Sequence, residues 1–401
     1  MTTTPDRSGG TFAALLAANT ILSAAMPMLI LLGGLAGLML APSPALATVP
    51  PSVQALAGLI ATGPLSVLMG RRGRRTGFML GGGLAIAGGL AGTVALFAGS
   101  FILLCAAHAL LGAALASYLY FRFAAAEAVP DRWQPMAISL VLTSGLVAAV
   151  VGPQIFIAAK DAFAPVPLAG AYAAVAVVTL LGLVPLAFVR MPPPAPRGDR
   201  PGAGIVQILA ILGRGPVLTA VIVGAVSQGV MVLLMAPTPL AMTGLGHTAA
   251  LAGDVVRWHV VAMFAPSFAT GFVITRCGTR PVMAAGLVLL IAAALTAASG
   301  ASPHHFHVAL ILLGIGWNFG YIGATTLLAS AVSAEERPVV QGVNDTLIAL
   351  AATVCVAASG AVVTTWGWTA LAIAALPVLA VALVWIVLSR AMSASVAGGQ
   401  A

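Results

Sequence analysis

The chain has 401 residues, of which 61% are hydrophobic and only 6% charged, with a formal net charge of +8. A soluble domain carries roughly 25% charged residues, so the composition excludes an ordinary globular enzyme and points to a membrane protein. The positive balance does not indicate nucleic acid, because the basic residues sit in short gaps between apolar runs rather than on one soluble face.

A helix needs about 20 largely apolar residues to cross a bilayer, and runs of that kind recur from Phe12 almost to Arg390. They are too long, and too evenly built of Ala, Leu, Gly and Val, for barrel strands, which alternate over segments of about 10 residues. The first run follows Asp6 and Arg7, and the small residues from Ala41 to Ala47 look like a cleavage site. It is too long for a signal segment, and its loss would leave an odd number of spans, so it is expected to be a retained helix.

Breaks at Pro, Gly and charge clusters place spans near 11–39, 50–69, 76–97, 99–122, 133–158, 166–190, 215–241, 249–272, 280–299, 305–329, 338–362 and 367–390. The expected fold is an all-α membrane protein with twelve transmembrane helices. Residues 1–190 would form an N-terminal six-helix bundle, 191–214 a Pro-rich cytoplasmic linker, and 215–401 a C-terminal six-helix bundle.

With a cytoplasmic amino terminus, fifteen of the seventeen basic residues fall on the inside. They are Arg7, Arg71, Arg72, Arg74, Arg75, Arg122, Arg132, Arg190, Arg197, Arg200, Arg214, Arg276, Arg280, Arg337 and Arg390, leaving Lys160 outside and Arg257 within span 8. The positive-inside bias therefore puts both termini in the cytoplasm, as in a multi-pass protein of a bacterial inner membrane.

The halves echo each other. The loop after span 2 ends Gly-Arg-Arg75, and the loop after span 8 ends Gly-Thr-Arg280, so that Gly73 and Gly278 match at an offset of 205 residues. Such a repeat implies alternating access around a central site.

Twelve spans, the six-plus-six division and the loop Gly70-Arg-Arg-Gly-Arg-Arg75 resemble the major facilitator superfamily. Its signature at this loop is Gly-x-x-x-Asp-Arg-x-Gly-Arg-Arg, and the acidic residue is missing here, where Gly70 stands directly before Arg71 and Arg72. The resemblance implies a gating part for Arg71, Arg72 and Arg75.

No Gly-x-x-x-x-Gly-Lys-Ser/Thr loop occurs, so ATP-driven pumping by this chain alone is not expected, nor is any cofactor or enzymatic constellation. Span 7 carries Met231 and Met235, and span 8 carries His259 and Met263, each pair on one helix face. A rise of 1.5 Å per residue puts Met235 and Met231 about 9 and 15 Å below the outer surface and His259 and Met263 about 15 and 21 Å below it. Thioethers with an imidazole select Cu(I), although a Met pair at helical spacing is more often core filling.

A Met-x-x-x-Met helix followed by a His-x-x-x-Met helix resembles the CcoA-type copper importers of this superfamily, a branch that also contains riboflavin transporters. The segments 263–271, 316–320 and 341–345 look like the same branch. The resemblance implies Met231, Met235, His259 and Met263 as metal ligands, copper uptake for assembly of the cbb3-type cytochrome c oxidase, and cytoplasmic copper chaperones or a copper-exporting ATPase as partners. The alternative cargo is riboflavin or another small organic solute, with Trp317, Asn318 and Tyr321 as contacts. A third reading is an oxidase-assembly or sensor protein without flux.

Asp254 and Arg257, three apart in span 8, are expected to pair for structure or gating. Asn344 and Asp345 in span 11 are candidates for proton coupling or for a structural hydrogen bond, and Asn19 and Asn318 for cavity lining or cross-helix bonds. His247, His304, His305 and His307 are expected in outside loops, and His108 in a hydrogen bond within its bundle. Cys105, Cys277 and Cys355 are scattered and indicate no disulfide.

Overall fold

A computed structural model describes residues 6–130, 133–189, 191, 205–333 and 336–398; Arg132, Arg190, Arg197, Arg200 and most of the expected 191–214 linker lie outside them. Among the described residues all regular elements are helical. The first half comprises α1 (Asp6–Ser23), α2 (Ala25–Leu40), a 3-10 turn at Pro44–Leu46, α3 (Val49–Arg72), α4 (Arg74–Phe97), α5 (Phe101–Tyr118), α6 (Phe121–Glu127), α7 (Gln134–Ala159) and α8 (Ala169–Ala187). After the short α9 (Ile205–Leu212) come α10 (Gly215–Met235), α11 (Thr238–Gly244), α12 (Ala249–Phe264), α13 (Ser267–Cys277), α14 (Thr279–Ser299), α15 (Pro303–Ala331), α16 (Arg337–Thr365) and α17 (Gly367–Gly398).

Several helices are segments of one span. Prolines explain two of the breaks: Pro237 follows α10 and Pro266 follows α12, each removing a backbone donor and crowding the preceding turn. Joined across such breaks, eleven helices are long and apolar enough to cross a membrane, among them Gly9–Leu40, Gly215–Gly244 and Ala249–Cys277. The described apolar part of α7, Thr143–Ala159, stands in the place of the remaining span.

The two halves meet along α3 against α16 and α7 against α12. One buried core lies almost wholly in α10, α12, α14, α15, α16 and α17. A second joins α2, α4, α5, α7 and α8, and takes in Val256 and Val260 of α12. A third, around Leu15, Met69, Phe78 and Phe121, contains a ring stack of Phe78 on Phe121 at 4.1 Å.

The internal repeat is visible in the backbone. Gly73 joins α3 to α4 at φ 88°, ψ 157°, and Gly278 joins α13 to α14 at φ 87°, ψ 162°. Both fall where a side chain is strained, which explains glycine in both loops. These turns define one end of the molecule, referred to below as the glycine-turn end. At the opposite end the halves close on each other: the position of a Cβ at Gly360 of α16 is occupied by Thr48, and Gly253 of α12 faces Ile157 of α7 and Leu31 of α2.

Candidate functional site

A row of aromatic and polar side chains runs from the middle of the seam toward the glycine-turn end. Phe264, the last residue of α12, packs against the cores on both sides of the seam. Its ring meets Trp317 of α15 edge-on at 6.1 Å, and Trp317 stacks on Tyr321 at 5.0 Å with 17° between the planes. Trp317 and Tyr321 are four residues apart, hence on one helix face. Trp317 Nε1 donates to Gln228 Oε1 of α10 at 2.8 Å, which fixes the indole.

Beyond Tyr321 the row becomes charged. Asp345 of α16 and Arg122 of α6, which come from opposite halves, both lie within electrostatic reach of Tyr321 and of each other. They form no ion pair. Asn344 is buried and donates Nδ2 to Asp345 Oδ1 at 3.2 Å, whereas Asp345 is exposed. A carboxylate exposed within a spanning helix requires water or a cavity beside it. The guanidinium of Arg122 lies over the Phe123 ring at 4.8 Å, and its Nε is buried without a hydrogen-bond partner. Past two rings stacked on each other, the row thus ends in one cation and one carboxylate.

The four expected metal ligands are placed differently. Met231, Met235 and Met263 are 2%, 6% and 4% exposed and belong to one apolar core. α10 and α12 do not pack along each other, and each packs on α15. The reason lies in the face that α12 turns to the other half, which carries Val256 and Val260, so His259 turns toward α15. There its Nδ1 donates to the Leu310 carbonyl at 2.7 Å, and a Cβ at Gly314 would come 2.7 Å from the His259 carbonyl, so the two helices are in close backbone contact. His259 Nε2 is buried and unpartnered. Among the described residues no three His, Cys, Asp or Glu side chains gather to hold a metal.

Asn318 does not line the seam. Its Nδ2 donates to the Met263 carbonyl at 2.6 Å and to Ser267 Oγ at 2.7 Å, while its Oδ1 accepts from Thr270 at 2.7 Å, pinning α15 to the break between α12 and α13. Asn19 likewise binds Ser144 Oγ at 2.7 Å and the Val141 carbonyl at 3.2 Å. His108 lies between Gln54 Oε1 at 2.8 Å and Tyr172 Oη at 2.7 Å, as expected of a bundle hydrogen bond.

At the end opposite the glycine turns, Asp254 pairs with Arg257 as the spacing predicted, and also accepts from His307 Nε2 at 3.0 Å. His304, His305 and His307 are in the first turns of α15 rather than in a loop, because Ser302 caps that helix and Pro303 opens it. His247 remains outside a helix and binds the Ala301 carbonyl at 3.1 Å.

Around the Gly73 turn, Arg71 and Arg72 at the end of α3 and Arg75 at the start of α4 are exposed. Arg74 is the one that pairs, with Glu127 of α6 at 2.7 Å, and it also faces the Tyr120 ring at 5.7 Å. Sequence reading missed Gln228, Phe264, Arg122 as a site residue, and Glu127. Gln228 carried a signal as a single amide in an apolar span; Arg122 was absorbed into the inside charge count.

The Major Facilitator Superfamily model matches residues 221–400. The riboflavin transporter RfnT of Brucella anthropi is 38% identical over 90% of this chain and 91% of its own length. The uncharacterized MFS-type transporter YdeG of Bacillus subtilis is 33% identical over 75% of this chain and 73% of its own. Among solved structures, a D-xylose-proton symporter superposes with a TM-score of 0.73 at 13% identity, covering 94% of this chain and 96% of that one. A bacterial homologue of the lysosomal transporter Spinster gives 0.70 at 14% identity, covering 97% and 98%.

Proposed function

We propose, for a chain that belongs to the major facilitator superfamily and is a transporter rather than an enzyme, that the cargo is riboflavin or a closely related flavin. The observation that carries this reading is the 38% identity to a riboflavin transporter over nine-tenths of both chains. The stacked Trp317 and Tyr321, with Gln228 behind them, supply a surface of matching chemistry for a flat tricyclic ring. The protein resides in the cytoplasmic membrane of its bacterium with both termini and the glycine-turn end inside, in keeping with the arginine bias of the loops. Transport runs inward by rocking of the two bundles about the seam.

Copper uptake is the second reading, and one observation favours it: His259 Nε2 is buried without a partner, with Met263 one turn along the same helix. Burial of Met231 and Met235 in the apolar core fits side-chain packing as well as it fits a ligand pair. The relative at 38% identity supports the flavin reading better.

Parallel uptake of radiolabelled riboflavin and of copper into proteoliposomes holding the purified chain tests both readings. Saturable riboflavin uptake that persists in His259→Ala supports the flavin assignment. Copper uptake lost in His259→Ala, with no riboflavin uptake by the native chain, would overturn it.

A further inference from the structure

Electrostatics does not close the seam at the end opposite the glycine turns. The ion pairs among the described residues each lie within one half: Arg74 with Glu127 and Lys160 with Asp161 in the first, Arg214 with Glu336 and Asp254 with Arg257 and His307 in the second. One short turn makes the closure instead. The connection from α2 to α3, which contains the 3-10 turn Pro44–Leu46, packs on α16 of the other half. Ala47 belongs to the first half by sequence, yet it is fully buried in the apolar core of the second half, together with Val356 and Val363 of α16. Thr48 is buried beside it.

Two glycines hold this turn from either side. A Cβ at Gly37 of α2 would come 2.9 Å from the Ala47 carbonyl carbon, and a Cβ at Gly360 of α16 would come 2.6 Å from Thr48 Cβ and closer still to its Oγ1. Neither place has room for a methyl group. Gly360 lies inside α16, where alanine would be the better helix former, so the approach of Thr48 and not the helix explains the glycine. Thr48 makes no side-chain cap bond to α3, so its side chain is not needed to start that helix.

Two bundles that rock about a seam separate at each end in one of their two states. We propose that Thr48 seated on Gly360 is the latch of the closed end: the turn at 44–48 rests against α16 while this end is shut and leaves it when the end opens. The contact is steric, so it works only while position 360 has no side chain. It serves any cargo and does not rest on the flavin reading.

The test follows the opening of this end directly. Spin labels are attached at Ile102→Cys, at the start of α5, and at His304→Cys, at the start of α15, in a full-length chain whose Cys105, Cys277 and Cys355 are replaced by alanine. Both labelled positions are exposed, stand at the closed end in opposite halves, and lie outside the 44–48 turn and α16. Pulsed electron resonance in proteoliposomes without cargo reads the distance between them. The parent chain is expected to populate a short distance. Gly360→Ala should shift the ratio of short to long distances by about tenfold or more, the usual effect of an overpacked methyl group. Thr48→Gly, which removes the atoms that this methyl would meet, should restore the short distance when combined with Gly360→Ala. Alone it adds no atom, and it should lower the short-distance population by a smaller factor, because the closed end loses a buried side chain. An unchanged distribution in Gly360→Ala overturns the latch. So does a lengthened distance that Thr48→Gly fails to reverse, since position 360 would then meet another partner. If Gly360→Ala does not fold, Thr48→Gly alone decides, and an unchanged distribution in that variant overturns the proposal.

Discussion

His259 of α12 donates Nδ1 to the carbonyl oxygen of Leu310 on α15 at 2.7 Å, while its other ring nitrogen is buried with no partner. The bond fixes the tautomer with the proton on Nδ1 and leaves Nε2 as an acceptor, which is the form a metal would require. It also ties α12 to α15 at the point where Gly314 allows the backbones to touch.

If the histidine serves the α12–α15 junction, His259→Ala should lower stability by about 1–3 kcal/mol, from a lost buried hydrogen bond and the cavity left behind. Riboflavin affinity should change by less than about threefold. Thermal unfolding in detergent and uptake kinetics read the two effects separately; an unchanged melting temperature with abolished copper uptake would instead mark a ligand.

Trp317→Ala removes the ring held between Phe264, Tyr321 and Gln228. An aromatic stack adds about 0.5–1.5 kcal/mol beyond burial, and a substrate loses that and the contact area, so KM for riboflavin should rise roughly tenfold or more. Gln228→Leu, which keeps the volume but leaves Trp317 Nε1 without its acceptor, should have a smaller effect in the same direction. Uptake rates over a range of riboflavin concentrations measure both.

Arg74, the first residue of α4, and Glu127, the last of α6, form an exposed pair. Its worth in stability should be below about 1 kcal/mol. In transport the pair should matter more, since it joins the first of the two matching loops to the helix that carries Arg122. Glu127→Arg should slow riboflavin exchange, and Arg74→Glu combined with it should recover most of the rate. Equal rates in the single and the double variant would show that the pair takes no part in movement.

A third ion pair has a pH signature. Hydrogen bonds from Arg214 hold the Glu336 carboxyl below the usual glutamate range, with the Ser333 amide and the arginine charge adding to the effect. A carboxyl with a depressed folded-state pKa contributes stability above its unfolded pKa, about 4.3, and that contribution fades as pH falls through the folded value. The melting temperature of native chain minus that of Glu336→Gln should therefore be flat at neutral pH and shrink below about pH 4. A difference that grows on acidification would contradict the sign.

What the residues revealed before the structure was mostly periodic. Long apolar runs and glycine-bounded loops specify spans and their order, because a bilayer admits few other solutions for the backbone. Spacing also foretold the Asp254–Arg257 pair, since three residues apart is a fixed relation on a helix. Which way a face turns was not legible in the same way. His259 and Met263 share a face, yet whether it points to α10, to α15 or to the seam depends on Val256 and Val260 packing across the seam. Arg122 and Asp345 are 223 positions apart in the chain, so nothing local marks that both act electrostatically on Tyr321. Asn318 carried two readings, cavity lining and cross-helix bonding, and the helix break at Pro266 supplied the partners for the second.

Gly73 and Gly278 bend the chain at nearly the same angles in two loops whose neighbouring charges differ. One hairpin, used twice, gives the molecule its own internal control. An alanine at either site meets the same backbone strain, about 1–3 kcal/mol, so any difference between the two variants in transport rate reports the surroundings of the turn and not the turn itself.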